Sequence, residues 1–507
     1  MTIITRFPPS PTGFLHIGSL RTALYNYAFA RQNKGKFIVR IEDTDRERYV
    51  EGAVENLLKT LSWAGFDFDE GPGKEGSHRP YIQSERLDIY KKHAKELLEN
   101  GHAYRCFCSK ERLETMRKEQ ELKHLAPKYD RFCLDLKESE TEENLKKQLP
   151  YVIRQKIPRG KIVRFTDIIR GPIEVNSDTL DDQVLLKSDG YPTYHLANIV
   201  DDHLMEITHV IKGEEWLPST PKHILLYEAF SWNPPFFAHL PLLLNQDRSK
   251  LSKRQGDVAV EDYIQKGYLK EALVNFVALL GWHPEEDNEI LSLADIIKKF
   301  DLSRVQKSGA VCNFEKLEWF NGYYIRTLSD ENLANQLEPF LKNEPWYEAN
   351  KNEISRYLPL IKERMKTLLD AKNMLKYFFV DDFEYDLTLF ENPKMKVDKN
   401  IALQSLKATL ENLKTHTELK DLRREEIKEE KDKSLAKLLD LCAFWCGKTG
   451  LSKGQVLWPI RVALTNEPFS PGVFELIMTI GKEKTMQRIQ NAIMALKKNL
   501  GTIEKTN

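Results

Sequence analysis

The spacing of apolar positions changes abruptly near the amino terminus. Ile3 to Phe7 reads as a short strand, and the turn Pro8-Pro9-Ser10-Pro11-Thr12-Gly13 follows it. Beyond Gly18, Leu20, Leu24, Tyr27 and Arg31 fall near helical spacing, with Ala23 and Ala28 between them, so the pattern predicts strand, turn, helix. KFIVRIED predicts a buried strand in which Phe37, Val39 and Ile41 alternate, with Glu42 and Asp43 at its carboxyl end. Tyr194 and Asn198 are four apart in YPTYHLAN, which puts them on one face if that stretch is helical. Between about 88 and 189 the chain leaves this pattern and contains the polar stretch KESETEENLKKQ, which reads as an insertion. After about residue 330 it is rich in Leu, Lys and Glu, with long helical patterns; the mixed-sign run 417–437 is most simply a solvated helix.

At 507 residues, domain-size priors predict about three to five structural units. Hydrophobic residues make up 41% and charged residues 30%, and the mean hydropathy is −0.50, which fits cores of useful size under a polar surface. No apolar run approaches the roughly 18 residues needed to cross a bilayer. Motif-like sequence from Arg6 onward leaves no room for a targeting segment, so a cytoplasmic location is expected. Six cysteines in this length do not make a disulfide framework, as suits a reducing compartment. Lys+Arg and Asp+Glu both total 76, so any nucleic-acid partner must be held by local patches.

A strand-turn-helix junction leaves first-turn N–H groups unpaired and aims the positive end of the helix dipole at the turn. An anion is the natural occupant: Gly13 and Gly18 permit close backbone approach, and His16 can donate to a phosphate oxygen as charge develops. A proline-rich loop capped by Ser19 fits this stretch equally well. A second signal is SKLSKRQG, residues 249–256, where Lys250 and Lys253 are three apart. Mobile lysines can supply compact charge to a triphosphate; alone, the segment also reads as a solvated basic loop.

Together, His16-Ile17-Gly18-Ser19 and Lys250-Leu251-Ser252-Lys253-Arg254 resemble the paired signatures of class I aminoacyl-tRNA synthetases, Ser19 standing where the first signature ends in histidine. RFPPSPTGFLHIGSLRTALYNYAFA, GKFIVRIEDTDRERY, YIQSERLDIY, LLKSDGYPTYHLANIVDDHLM and HVIKGEEWLPSTPKH resemble, in order, the bacterial-type glutamate-tRNA ligases. The resemblance implies an α/β fold: a Rossmann-type parallel-sheet catalytic domain (1–87 and 190–246) with an acceptor-binding insertion (88–189). A stem-contact domain carrying the KLSKR loop (247–329) and an all-helical anticodon-binding half (330–395 and 396–507) are expected to follow.

It also implies the reaction, in which ATP and L-glutamate give glutamyl-adenylate and tRNA(Glu) then takes the glutamyl group. His16, Lys250 and Lys253 are implied as catalytic, and Gly18, Glu215, Leu242, Leu243 and Lys253 as the ATP site, with Mg²⁺ on the triphosphate. Glutamate is assigned to Arg6, Pro8, Ser10, Glu42, Tyr194, Asn198 and Lys212. Glu42 would pair with the ammonium, and Arg6 can grip a carboxylate in a bidentate fork. At Lys212 the family commonly carries arginine, and lysine lacks that planar fork. Arg364 resembles a position that reads the anticodon.

Cys106, Cys108 and Cys133 in YRCFCSK and YDRFCLD offer thiolates for zinc, which favours four ligands. Some family members carry C-x-C and then C-x-H, and Asp135 holds the histidine position here; three reduced cysteines in a small core are the alternative. Cys442 and Cys446, one helical turn apart, read as core. A monomer with no membrane partner is expected. Glutamylation of tRNA(Gln) as well, or an inactive tRNA-binding protein, are the alternatives.

Overall fold

Strand β1 (Ile4–Phe7) forms where the sequence predicts it, and all four of its residues are buried. Helix α1 (Ile17–Gln32) follows the proline turn and returns the chain to β2 (Lys36–Val39). β2 runs parallel to β1 with Ile38 opposite Arg6. Phe37, Ile38, Val39 and Arg40 are all fully buried, so the expected alternation is absent. A parallel sheet is covered on both faces, and its strands have no wet side. The computed structural model describes residues 2–251, 259–415 and 443–503, in two units, 1–320 and 321–507.

In the first unit α2 (Ala53–Ala64) and α3 (Leu87–Glu99) follow β2. The 88–189 segment then holds an antiparallel sheet in the order β3 (Ala103–Cys106), β4 (Val152–Gln155), β7 (Val184–Leu186). Between β3 and β4 lie α4 (Lys110–Leu122) and α5 (Glu138–Lys146), neither with a buried residue. The insertion is not wholly separate. Its hairpin, β5 (Ile162–Asp167) and β6 (Gly171–Asn176), extends the catalytic sheet, because Asp167 of β5 pairs in parallel with Phe237.

Helix α6 (Tyr194–Leu204) leads to β8 (His209–Gly213), and α7 (Thr220–Ala229) leads to β9 (Phe236–Leu240), parallel to β8. The Thr208 N–H donates to the Ile4 carbonyl at 2.9 Å, joining the β8 edge to β1. The strands therefore run β2-β1-β8-β9-β5-β6. Four parallel strands, β1, β2, β8 and β9, end on one side, where an open sheet of this kind gathers ligands. A short ladder, β10 (Leu243–Leu244) with β11 (Ala310–Val311), lies beyond.

The second unit is helical among its described residues. Asp330–Leu341, Ile354–Ile361 and Asp370–Phe379 pack together, with Tyr357 stacked on Phe378 at 4.3 Å between centroids. Farther along, Lys399–Thr415, Lys453–Thr465 and Lys482–Ile503 pack against one another. The 417–437 run and Cys442 lie outside the described residues; Cys446 is half-buried with a free thiol.

Candidate active site

The junction after β1 carries a cap that differs from both sequence readings. His16, not Ser19, is the N-cap of α1, and its Nδ1 accepts from the Gly18 and Ser19 N–H groups at 3.1 and 3.3 Å. An accepting Nδ1 leaves Nε2 to carry the ring proton, and this nitrogen lies 2.9 Å from the Ser19 hydroxyl. Two first-turn donors are thus already used, while the helix dipole still points at the turn. A Cβ on Gly18 would stand 3.0 Å from the imidazole and 3.5 Å from Leu243, so glycine is what lets the ring lie over the helix end.

At the end of β1, Arg6 is fully buried. Its Nε and Nη2 donate to Asp202 Oδ1 and Oδ2 at 3.1 and 3.3 Å, and its Nη1 has no hydrogen-bond partner among the described residues. Arg40, just past β2, donates to Asp202 Oδ1 at 2.8 Å and to Glu42 Oε1 at 3.1 Å. Its Nε lies 3.6 Å from Asp201. Asp201 also accepts from Arg86, Gln83 and Tyr90. Burial raises the Glu42 carboxyl above its ordinary range against the pull of Arg40 and Arg6. Burial also opposes ionisation of Asp202, but Arg6 and Arg40 overcome it and hold that carboxyl low.

Tyr194, Asn198 and Asp202 recur every four residues along α6, and so share a face. Asn198 Nδ2 reaches Glu42 at 3.5 Å. The Tyr194 hydroxyl lies 3.4 Å from Lys212 Nζ, and its ring packs on Trp216 at 4.5 Å. Lys212, near the end of β8, is 6% exposed; burial and the Arg6 charge push its ammonium down to about 7. Behind Tyr194, His195 Nδ1 and His223 Nε2 are 3.1 Å apart, and burial keeps both rings from protonating. Pro8 is half-buried and Ser10 exposed on the turn; the Pro9 carbonyl accepts from the Glu42 N–H at 3.0 Å, tying the turn to Glu42.

Glu214, rather than Glu215, holds the strand edge, accepting from the Leu242 N–H at 3.0 Å and pairing with Arg170. Glu215 is exposed, and its carboxylate lies against Gly213, where a Cβ would stand 2.2 Å from Oε2. Leu242 is half-buried and Leu243 buried. The chain folds back after them: Leu251 N–H donates to the Leu243 carbonyl at 2.9 Å, leaving Lys250 exposed on the return. Lys253 lies outside the described residues. In the second unit Arg364 is exposed, its Nη1 donating to the Leu360 carbonyl at 3.0 Å and its Nη2 3.7 Å from Glu475.

The sulfur atoms of Cys106, Cys108 and Cys133 lie within 4.8 Å of one another. A tetrahedral zinc about 2.3 Å from each sulfur separates them by about 3.8 Å, so the spacing fits the ion. Asp135 does not join the cluster. It stands two residues past Cys133, after the single 3₁₀ turn Phe132–Leu134, and at about three residues per turn it projects elsewhere. Tyr129 takes that place: its hydroxyl is 3.3 Å from Cys106 Sγ, 3.4 Å from Cys108 Sγ and accepts from the Cys133 N–H at 3.0 Å. The Arg112 guanidinium donates to Cys108 Sγ at 3.4 Å.

A paired-charge pocket and a capped helix end on one parallel-sheet edge are the arrangement of a class I synthetase. The profile described as tRNA synthetases class I (E and Q), catalytic domain, matches residues 2–319, and one described as anticodon binding domain matches 332–493. A glutamate--tRNA ligase of Chlorobium phaeobacteroides is 46% identical over 506 residues, covering 96% of this chain and 97% of that protein. One from Alkaliphilus metalliredigens is 44% identical over 507 residues, covering 96% and 98%. The crystal structure of a glutamate tRNA ligase from Elizabethkingia meningosepticum, in complex with its amino acid, superposes with TM-score 0.80 at 39% identity over 98% of this chain and all of that one. The chain belongs to the glutamate-tRNA ligase family.

Proposed function

We propose that the side chains at the sheet edge divide two substrates between them. The family's reaction attaches glutamate to tRNA by way of glutamyl-adenylate. Arg6 and Lys212, with Tyr194, take the side-chain carboxylate of glutamate; Glu42, steadied by Asn198, takes its ammonium; Pro8 and Ser10 border them. The carrying observation is that two buried cations and one buried carboxylate stand in one set of interacting charges at adjoining strand ends. His16, Gly18, Glu215, Leu242, Leu243, Lys250 and Lys253 take ATP. In the first step an α-carboxylate oxygen of glutamate attacks the α-phosphorus and the bond to pyrophosphate breaks. Preset donors at the helix end lower that barrier because their orientation costs nothing as charge builds. Mg²⁺, bound with the triphosphate, supplies charge neutralisation there. A ribose hydroxyl then attacks the acyl carbon and AMP leaves.

The partner tRNA is tRNA(Glu), with Arg364 on the anticodon side, and the protein works as a cytoplasmic monomer. Labelled glutamate should be charged onto purified tRNA(Glu) by the full chain; charging of tRNA(Gln) in the same assay would add the second partner, and charging of neither would leave only a tRNA-binding protein.

Cys106, Cys108, Cys133 and the Tyr129 oxygen are proposed as the zinc set, the geometry favouring Tyr129 over Asp135. Elemental analysis should find one zinc per chain, retained in Asp135→Ala and weakened in Tyr129→Phe. Active protein without metal would refute the zinc assignment; equal retention in both variants would refute Tyr129.

A further inference from the structure

Helix α6 carries more than the walls of the pocket. One turn beyond Asn198, Asp202 is 2% exposed, and both of its oxygens are engaged by arginines that arrive from different strands. Buried ion pairs often add nothing to stability relative to apolar residues of the same volume, because desolvation offsets attraction. Stability alone therefore gives no reason for Arg6, Arg40, Arg86, Asp201 and Asp202 to be buried together.

Geometry gives one. Asp202 takes Nε and Nη2 of Arg6, which fixes the plane of the guanidinium and leaves Nη1 as a buried donor with no partner among the described residues. Buried donors are almost always satisfied, and on the glutamate assignment the substrate carboxylate is the acceptor for this one. Arg40 holds Asp202 with Nη1 and Glu42 with Nη2. Its guanidinium is planar and rigid, and so sets the separation of the Asp202 and Glu42 carboxylates. The cation for one end of glutamate and the anion for the other are thus mounted on one arginine.

We infer that Asp202 is a positioning residue for glutamate: it aims Arg6 at the substrate carboxylate, and Arg40 couples that aim to Glu42. This rests on the assignment of Arg6 and Glu42 to the glutamate pocket. In Asp202→Asn the side-chain amide brings donors against the Arg6 donors, the fork is lost and Arg6 swings free. Asp202→Glu keeps the charge, and with it the electrostatic balance of the core, but displaces the carboxylate by one methylene.

Pyrophosphate exchange with tRNA present, on the full-length protein, reads both substrates. Asp202→Asn should raise the glutamate KM by about ten- to a hundredfold, the range for a charge-assisted contact, and leave the ATP KM unchanged. Asp202→Glu should raise the glutamate KM in the same direction, which keeps the test decisive if the asparagine variant does not fold. Because Asp202 acts through Arg6, adding Asp202→Asn to Arg6→Ala should raise the glutamate KM no further than Arg6→Ala alone; independent sites would add. A wild-type glutamate KM in Asp202→Glu, equal changes in the glutamate and ATP KM, or additivity in the double variant would each overturn the inference. If Arg6→Ala itself leaves the glutamate KM unchanged, the pocket assignment falls, and the inference with it.

Discussion

His16→Ala is expected to slow adenylate formation by about 10²–10³-fold, the loss typical of one preset donor at a developing anion. Two effects must be separated. The imidazole caps α1 by accepting from the Gly18 and Ser19 N–H groups, and losing such a cap costs about 0.5–2 kcal/mol of stability. The ring's Nε2–H, which meets the Ser19 hydroxyl, is the donor proposed to turn to the phosphate when ATP binds. His16→Asn separates them, since asparagine is among the best N-caps but is shorter and places its amide donors elsewhere. The asparagine variant should regain the thermal stability lost in alanine while staying slow in pyrophosphate exchange. If it regains the rate as well, the histidine serves only as a cap.

The sequence made the strand ends legible because their motifs are local. His16 and Gly18 are two apart, Glu42 lies three residues past the end of β2, and Tyr194 and Asn198 share a helix face, so each is decided over a short stretch of chain. What stayed hidden depends on partners far along the chain. Arg40 lies between Val39 and Ile41 and looks like the wet position of an alternating strand. It is fully buried because helices cover both sheet faces, and its partner Asp202 is 162 residues away. The Asp201-Asp202 pair likewise resembles a solvated helix end. Asp135 was attractive only by sequence offset, whereas Tyr129 reaches the sulfurs from four residues before Cys133. The β5–β6 hairpin carries no mark of belonging to the sheet of β9, which it joins at a single pair.

Glutamate capture should fail on the alkaline side through Lys212. With its ammonium pushed down to about 7 by burial and by Arg6, the free enzyme loses this cation as the pH rises through that value. The kcat/KM for glutamate, which reports free-enzyme ionisations, should therefore fall about tenfold per pH unit above 7, approaching a hundredfold by about pH 9. Among the other groups around Lys212, burial keeps His195, His223 and His239 low, Tyr194 is pushed up, and Asp202 and Asp167 are held down. Glu42 is raised by its burial, but Arg40 and Arg6 oppose that rise.

A bound carboxylate favours the ammonium, so the break in kcat should sit at higher pH than the break in kcat/KM. Lys212→Arg should remove the break, because arginine keeps its charge throughout. Stability supplies an opposite sign. Between about 7 and the ordinary lysine value of 10.5 the unfolded chain binds the extra proton, so this group makes the ligand-free protein more stable as the pH rises. Relative to Lys212→Met, which lacks the titration, the wild type should gain thermal stability across the interval in which it loses glutamate. A flat kcat/KM profile from pH 6 to 9, or the same break in Lys212→Arg, would remove Lys212 from the pocket.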